Sequence, residues 1–125
     1  MTALKKLDPW LPPLLLMGVI FFFSAQPNLN SGLGWIDHVG RKIVHASEYA
    51  LLCFLWWRAL RTKLDSVRAL APAWAIATLY AATDEFHQHF VTGRHGTPVD
   101  VAIDSMGAAI FALLMLRAQR RRVAA

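Results

Sequence analysis

Long apolar runs alternate with short polar connections along this chain. The runs cover about residues 9–27, 43–60, 67–88 and 99–117. A helix needs about 20 mostly apolar residues to cross a hydrocarbon core of about 30 Å, and the first, third and fourth runs meet that requirement at their cores. The second run carries His45 and Glu48, so it can span a membrane only if these side chains face other helices or the interface.

This pattern predicts an all-α polytopic membrane protein, a bundle of four transmembrane helices. Four spans use about two thirds of the chain, which leaves no room for a separate soluble domain. Composition agrees, because 56% of the residues are hydrophobic and only 17% are charged, against roughly 25% charged residues in a typical soluble domain. We therefore interpret residues 1–125 as a single membrane domain.

The first apolar run has an alternative interpretation as a signal peptide. Lys5 and Lys6 would form its charged start, and residues 10–23 would form its apolar segment. The sequence SAQP that follows contains a proline, which suits cleavage poorly, and the run is long enough for a full span. We expect a helix that is retained in the protein.

Basic residues predict the orientation of the four helices. If the N-terminus is cytoplasmic, only Arg41, Lys42 and Arg94 of the 13 lysines and arginines fall in the outer segments. Because basic residues concentrate on the cytoplasmic side, both termini are predicted to be cytoplasmic. The net charge of +5 then reflects topology and attraction to membrane lipids, which are the predicted partners, and no motif supports nucleic-acid binding.

Acidic residues and histidines have the opposite distribution. In the predicted topology they collect at the outer end of the bundle, apart from Asp8 and Asp65. The residues of this group are Asp37, Glu48, Asp84, Glu85, Asp100, Asp104, His38, His45, His87, His89 and His95. One end of the bundle is thus predicted to carry nearly all the titratable chemistry, and the other end to carry basic anchors.

Helical spacing places several of these side chains on common faces, because residues three and four apart are neighbours on a helix. The resulting stripes are His45, Glu48 and Tyr49; Asp84, His87 and Gln88; and Asp100, Asp104 and Gly107. A charge that faces lipid costs at least about 2.5 kcal/mol, so we expect the three stripes to converge inside the bundle. Gly107 would allow close helix packing, and Ser24 and Gln26 would cap the same pocket.

The order of the motifs resembles a known family. SAQP follows an apolar helix, and KIVHASEYALL, DEFHQ, GR and DVAIDSMGA come after it in turn. Together these segments resemble the VanZ-like family of small bacterial membrane proteins, from about Phe23 to Phe111. The resemblance implies a multi-pass helical domain in the bacterial inner (cell) membrane. It also implies a link to low-level resistance to the glycopeptide teicoplanin, with which the family is associated.

The resemblance further implies a set of ligand-binding residues at the outer end of the bundle. Carried over position by position, the set is Ser24, Gln26, His45, Glu48, Tyr49, Asp84, Glu85, Gln88, Arg94, Asp100 and Asp104. If the site is catalytic, the candidates are Asp84, Glu85, His45 and Asp100. Position 104 is often asparagine in such proteins, and the aspartate of this chain adds a charge or a proton.

Structural roles are open for most of these residues. His45 and Glu48 can tie helices together, since buried polar groups hold membrane bundles together. Asp84 and the glutamate that follows it can lie hydrated at the interface. Asp100 can cap the fourth helix, and Arg94 can be an ordinary turn residue.

Two kinds of function fit this set. The favoured one is an outward-facing pocket that binds a lipid headgroup or a lipid-linked envelope ligand, with Arg94 contacting an anionic group. The alternative is a membrane-embedded enzyme that acts on a lipid or phosphate headgroup by acid–base or metal-assisted chemistry. His45, Asp84 and Asp100 could ligate a divalent metal, but no compact ligand motif supports one, so neither a metal nor another cofactor is predicted. No pattern in the sequence fixes the oligomeric state.

Overall fold

The fold consists of helices throughout the part of the chain that the structure describes. The computed structural model describes residues 7–24, 35–88, 90 and 98–124. Within these ranges it contains no strand and four α-helices, which are α1 (Leu11–Ser24), α2 (Trp35–Leu60), α3 (Leu70–Gln88) and α4 (Pro98–Ala124). The all-α class expected from the sequence is confirmed.

Two of the helices extend beyond the apolar runs from which they were predicted. α2 begins at Trp35, well before residue 43, so Arg41 and Lys42 lie on the helix itself. α4 continues past residue 117 through its basic end, with Arg121 and Arg122 in the last turn. Cations near a helix C-terminus and a carboxylate in the first turn both interact favourably with the helix dipole, and α4 has Asp100 in its first turn.

Contacts between the helices define an up-and-down bundle. Arg58, near the end of α2, donates a hydrogen bond to Asp8 just before α1, over 2.9 Å, so α1 and α2 are antiparallel. The Tyr80 hydroxyl of α3 donates to the Met17 carbonyl of α1 over 2.5 Å. α2 and α4 run parallel, because Lys42 pairs with Asp100 and, further along both helices, His45 pairs with Asp104.

The core lies between α2, α3 and α4 and combines large side chains with alanines. Tyr49, Leu52 and Cys53 of α2 are completely buried. They pack in one cluster with Ala73, Ala77 and Ala81 of α3, whose four-residue spacing forms a narrow stripe. Small residues along one face let neighbouring helix backbones approach closely. Cys53, the one cysteine of the chain, is therefore a packing residue.

Large apolar side chains cover the outside of the bundle. Leu15 and Phe22 of α1 are each 60% exposed, and Leu113 of α4 is 65% exposed. Within α4, the candidate span Pro98–Arg122 contains an 18-residue window with a mean hydropathy of 1.9, and α4 is the one described helix long and apolar enough by itself to cross a membrane. α1 is apolar but has 14 residues. α2 and α3 contain no such window, because they carry most of the polar residues of the candidate site.

Candidate functional site

The candidate site lies at the end of the bundle where α2 and α4 begin and α3 ends. His45 of α2 and Asp104 of α4 form its centre, with 3.8 Å between His45 Nδ1 and Asp104 Oδ1. This separation is too long for a hydrogen bond, so the contact is electrostatic. Asp104 is only 1% exposed, although it is an acid, and it is among the largest fully buried side chains of the described residues.

A second ion pair lies one helical turn closer to the helix starts. Lys42 of α2 donates a hydrogen bond to Asp100 of α4, and both side chains are partly exposed. Asp100 thus lies in the first turn of α4, as expected if it caps that helix, and it also links α4 to α2. The sequence predicts Lys42 on the outer side, but Lys42 is not among the site residues that the family resemblance implies. Its position three residues before His45, on the same helical face, is the signal that could have included it.

α3 contributes a buried polar end to the same region. Asp84, Glu85 and Gln88 are each 5% exposed or less. Their burial rules out the alternative in which Asp84 and Glu85 are hydrated at a surface. His87 was expected on the stripe of Asp84 and Gln88, but its ring instead packs 4.4 Å from that of Phe21 on α1.

Tyr49 and Glu48 complete the arrangement from α2. The Tyr49 side chain is fully buried, and its hydroxyl has no hydrogen-bond partner among the described residues. It interacts electrostatically with Asp84 and Asp104, and half-buried Glu48 interacts with the same two carboxyl groups. We refer to His45, Glu48, Tyr49, Asp84 and Asp104 together as the polar cluster.

Gly107 determines how closely α2 and α4 approach beside the polar cluster. A Cβ atom at this position would lie 2.8 Å from the carbonyl carbon and 2.9 Å from the Cα of Ala46. Both are backbone atoms that cannot move aside cheaply, so only glycine fits. The close approach expected from the sequence is therefore present, and it brings Asp104, three residues earlier on α4, next to His45.

Several residues of the predicted outer end lie wholly or partly outside the described part of the chain. Gln26 and Arg94 lie outside the described residues, as do His89 and His95. Ser24 ends α1, and its side chain is outside the description.

The polar cluster combines three carboxyl groups with one imidazole and one phenol. Such groups can bind a hydrogen-bond donor or a cation, or can exchange protons with a ligand. In the described ranges, no three His, Cys, Asp or Glu side chains form a group that could hold a metal ion. The trio His45, Asp84 and Asp100 therefore does not form such a group.

These features define a small helical bundle with polar side chains gathered inside one of its ends. The chain belongs to the VanZ/LLP1 family, whose sequence model matches residues 10–119. The resemblance seen in the sequence motifs is confirmed, and proteins of this family are generally membrane proteins. No curated protein and no solved structure matches the chain.

Proposed function

We propose that this protein crosses the bacterial cell membrane four times and uses its polar cluster to bind a lipid headgroup or a lipid-linked envelope ligand. The observation that carries the proposal is the distribution of polarity across the bundle. Asp84, Gln88 and Asp104 are buried inside, whereas Leu15, Leu113 and similar side chains cover the outside. In water, both the buried polar side chains and the exposed apolar surface would be unfavourable, whereas in a bilayer the apolar surface faces lipid.

Helix lengths support a spanning bundle. α4 has 27 residues and α2 has 26. At about 1.5 Å per residue each is about 40 Å long, which exceeds a hydrocarbon core of about 30 Å. The ionisable residues that lower the hydropathy of α2 and α3 include the buried ones of the site, so they do not have to face lipid.

The charge distribution supports cytoplasmic termini. The side of the bundle opposite the polar cluster is basic, because the parallel helices α2 and α4 both end there. It carries Arg58 and Arg61 from the end of α2 and Arg120 to Arg122 from the end of α4. Basic ends face the cytoplasm in most inner-membrane proteins. The polar cluster then faces the outer leaflet, where headgroups and lipid-linked envelope ligands are in reach.

A purely structural role, in which the polar residues only pair helices with one another, leaves one feature unexplained that ligand binding explains. The pairs His45–Asp104 and Lys42–Asp100 do link α2 to α4. However, the Tyr49 hydroxyl and Asp104 Oδ2 are buried without hydrogen-bond partners among the described residues. Leaving such groups unsatisfied costs free energy, so a ligand that satisfies them would bind favourably. A ligand at the outer leaflet also suits a family associated with glycopeptide resistance.

The test is to identify what remains bound to the purified full-length protein. We would extract the protein from native membranes in a mild detergent, exchange it extensively, and identify bound molecules by native mass spectrometry. The wild type should retain a headgroup-bearing lipid or lipid-linked molecule, whereas Asp104→Leu should lose it. Arg68→Ala is the matched control, because Arg68 is 81% exposed and lies at the opposite end. Equal retention, or no retention, in all three proteins would contradict the proposal.

A further inference from the structure

The charges of the polar cluster favour a cationic group over an anionic one. Glu48, Asp84 and Asp104 contribute three carboxyl groups, whereas His45 contributes the one basic side chain of the cluster. The nearby ammonium of Lys42 is already paired with Asp100. An anionic phosphate inserted among these carboxyl groups would meet repulsion that the low dielectric of the interior strengthens, whereas a cation would be attracted.

The uncommitted atoms of the polar cluster have the chemistry of hydrogen-bond acceptors. Asp104 turns one oxygen, Oδ1, toward His45, while its other oxygen, Oδ2, has no hydrogen-bond partner in the ranges that the structure describes. The Tyr49 hydroxyl oxygen also has no hydrogen-bond partner in those ranges, and the Tyr49 side chain is 0% exposed. A carboxylate oxygen accepts hydrogen bonds, and a phenol oxygen both accepts and donates. A ligand with several N–H donors can satisfy both positions.

Two members of the polar cluster are partly exposed and two are buried. The His45 side chain is 23% exposed and Glu48 is half-buried, whereas Tyr49 and Asp104 are 0% and 1% exposed. A ligand group that enters past His45 and Glu48 would therefore have to be small. It would also have to exchange its hydration for hydrogen bonds in the interior, because an unpaired buried charge is very costly.

We propose that the group bound by the polar cluster is the primary ammonium of an ethanolamine-type lipid headgroup. A primary ammonium is compact, cationic and carries three N–H donors, whereas a trimethylated choline group has none and is wider. The phosphate of the same headgroup would stay at the mouth of the site. This inference rests on the proposed headgroup binding and specifies which headgroup is bound.

The experiment compares headgroups on identical acyl chains. The full-length protein is delipidated and placed in mixed micelles that contain one test lipid, either phosphatidylethanolamine, phosphatidylcholine or phosphatidylglycerol. Retained lipid is quantified by native mass spectrometry, and stabilisation is measured as the shift in Tm. Because hydrogen bonds to charged groups are strong, we expect the ethanolamine lipid to bind about tenfold or more tightly than the other two.

Two tyrosine variants provide matched probes. Tyr49→Phe removes a buried hydroxyl without a described partner, so the lipid-free Tm should not fall, but the preference for the ethanolamine lipid should shrink severalfold. Tyr80→Phe removes a hydroxyl that is committed to the Met17 carbonyl, so the Tm should fall while the preference persists. Asp104→Asn, which keeps the shape of the side chain, should abolish the preference.

The outcomes separate this inference from the function on which it rests. Retention of phosphatidylglycerol or phosphatidylcholine at least as tight as that of the ethanolamine lipid would overturn the ammonium assignment and leave headgroup binding intact. A preference that is unchanged in Tyr49→Phe and in Asp104→Asn would also overturn it. Soluble ethanolamine serves as an additional probe, and binding as tight as that of the lipid would show a site for free amines and refute the lipid assignment. If no test lipid is retained, headgroup binding itself fails.

Discussion

Gly107 of α4 packs directly against the backbone of Ala46 on α2. The atoms that a Cβ at position 107 would meet are the main-chain atoms of Ala46, whereas Gly18 of α1 has nothing within 4 Å of the same hypothetical atom. The two helices that carry His45 and Asp104 are therefore held at a separation that no other residue at position 107 permits. This contact has a direct consequence for stability.

Gly107→Ala should destabilise the protein. Overpacking of this kind costs about 1 to 3 kcal/mol, which exceeds the gain of up to about 1 kcal/mol from the better helix propensity of alanine. Thermal unfolding in detergent, followed by circular dichroism, should show a lower Tm for the variant. Headgroup retention should also weaken, since Asp104 would move away from His45.

Gly18→Ala is the matched control for that variant. It makes the same chemical change in a helix where the new methyl group meets open space, so the Tm should stay the same or rise slightly. An equal loss of stability in both variants would mean that the close contact at Ala46 does not limit the packing of α2 and α4.

The Lys42–Asp100 pair should contribute modestly to stability. Its side chains are 29% and 23% exposed, so partial solvent screening limits the coupling energy to about 0.2–1 kcal/mol in a double-mutant cycle with alanine. Unfolding of the two single variants and the double variant in detergent measures this energy. The pair Arg68–Asp65, which is 81% and 59% exposed, is the reference and should give a coupling near zero. Equal coupling energies would argue against a special role for the Lys42–Asp100 contact.

Both termini should be cytoplasmic if the basic residues set the orientation. Reporter fusions at Ala125 and between Thr62 and Ser66 should give cytoplasmic signals, and fusions near Asn30 or Thr97 should give periplasmic ones. A periplasmic signal at Ala125 would place the polar cluster on the cytoplasmic side and would remove the outer-leaflet ligand from the proposal.

Arg94 should distinguish ligand recognition from structural pairing. It lies outside the described residues, so this prediction rests on the sequence, where it falls between the DEFHQ segment and Asp100. If its planar guanidinium binds a phosphate at the mouth of the site through two hydrogen bonds, lysine cannot replace it. Arg94→Lys should then keep expression and Tm nearly unchanged but lose headgroup retention. Full retention in Arg94→Lys, together with unfolding of Arg94→Ala, would instead indicate a structural ion pair.

Helical periodicity in the sequence was sufficient to predict the helical class and the composition of the faces. His45 and Tyr49 are one turn apart on α2, and Asp100 and Asp104 are one turn apart on α4, so their common faces follow from spacing alone. The family match agrees with the motif order on which the resemblance was based. The polar residues lower the hydropathy of α2 and α3, so hydropathy singles out α4 among the described helices.

Pairing between helices could not be predicted from spacing within each helix. Lys42 was expected on the outer side, but its partner Asp100 depends on how α2 and α4 are aligned, which long-range packing decides. His87 shares a spacing with Asp84, yet it lies close enough to α1 to pack on Phe21. The early start of α2 was also missed, because residues 35–42 mix polar and apolar side chains and give no apolar run.

The glycine at position 107 also fixes the register of α4 against α2. Sliding α4 by one turn, about 5.4 Å, would bring Asp104 level with Lys42 and so still provide an ion pair. The same slide would place Phe111, four residues after Gly107, against the Ala46 backbone, where not even one added carbon atom fits. Electrostatic attraction alone would tolerate either alignment, but steric exclusion at Ala46 permits only one. The choice between Lys42 and His45 as the partner of Asp104 is therefore made by a residue that has no side chain.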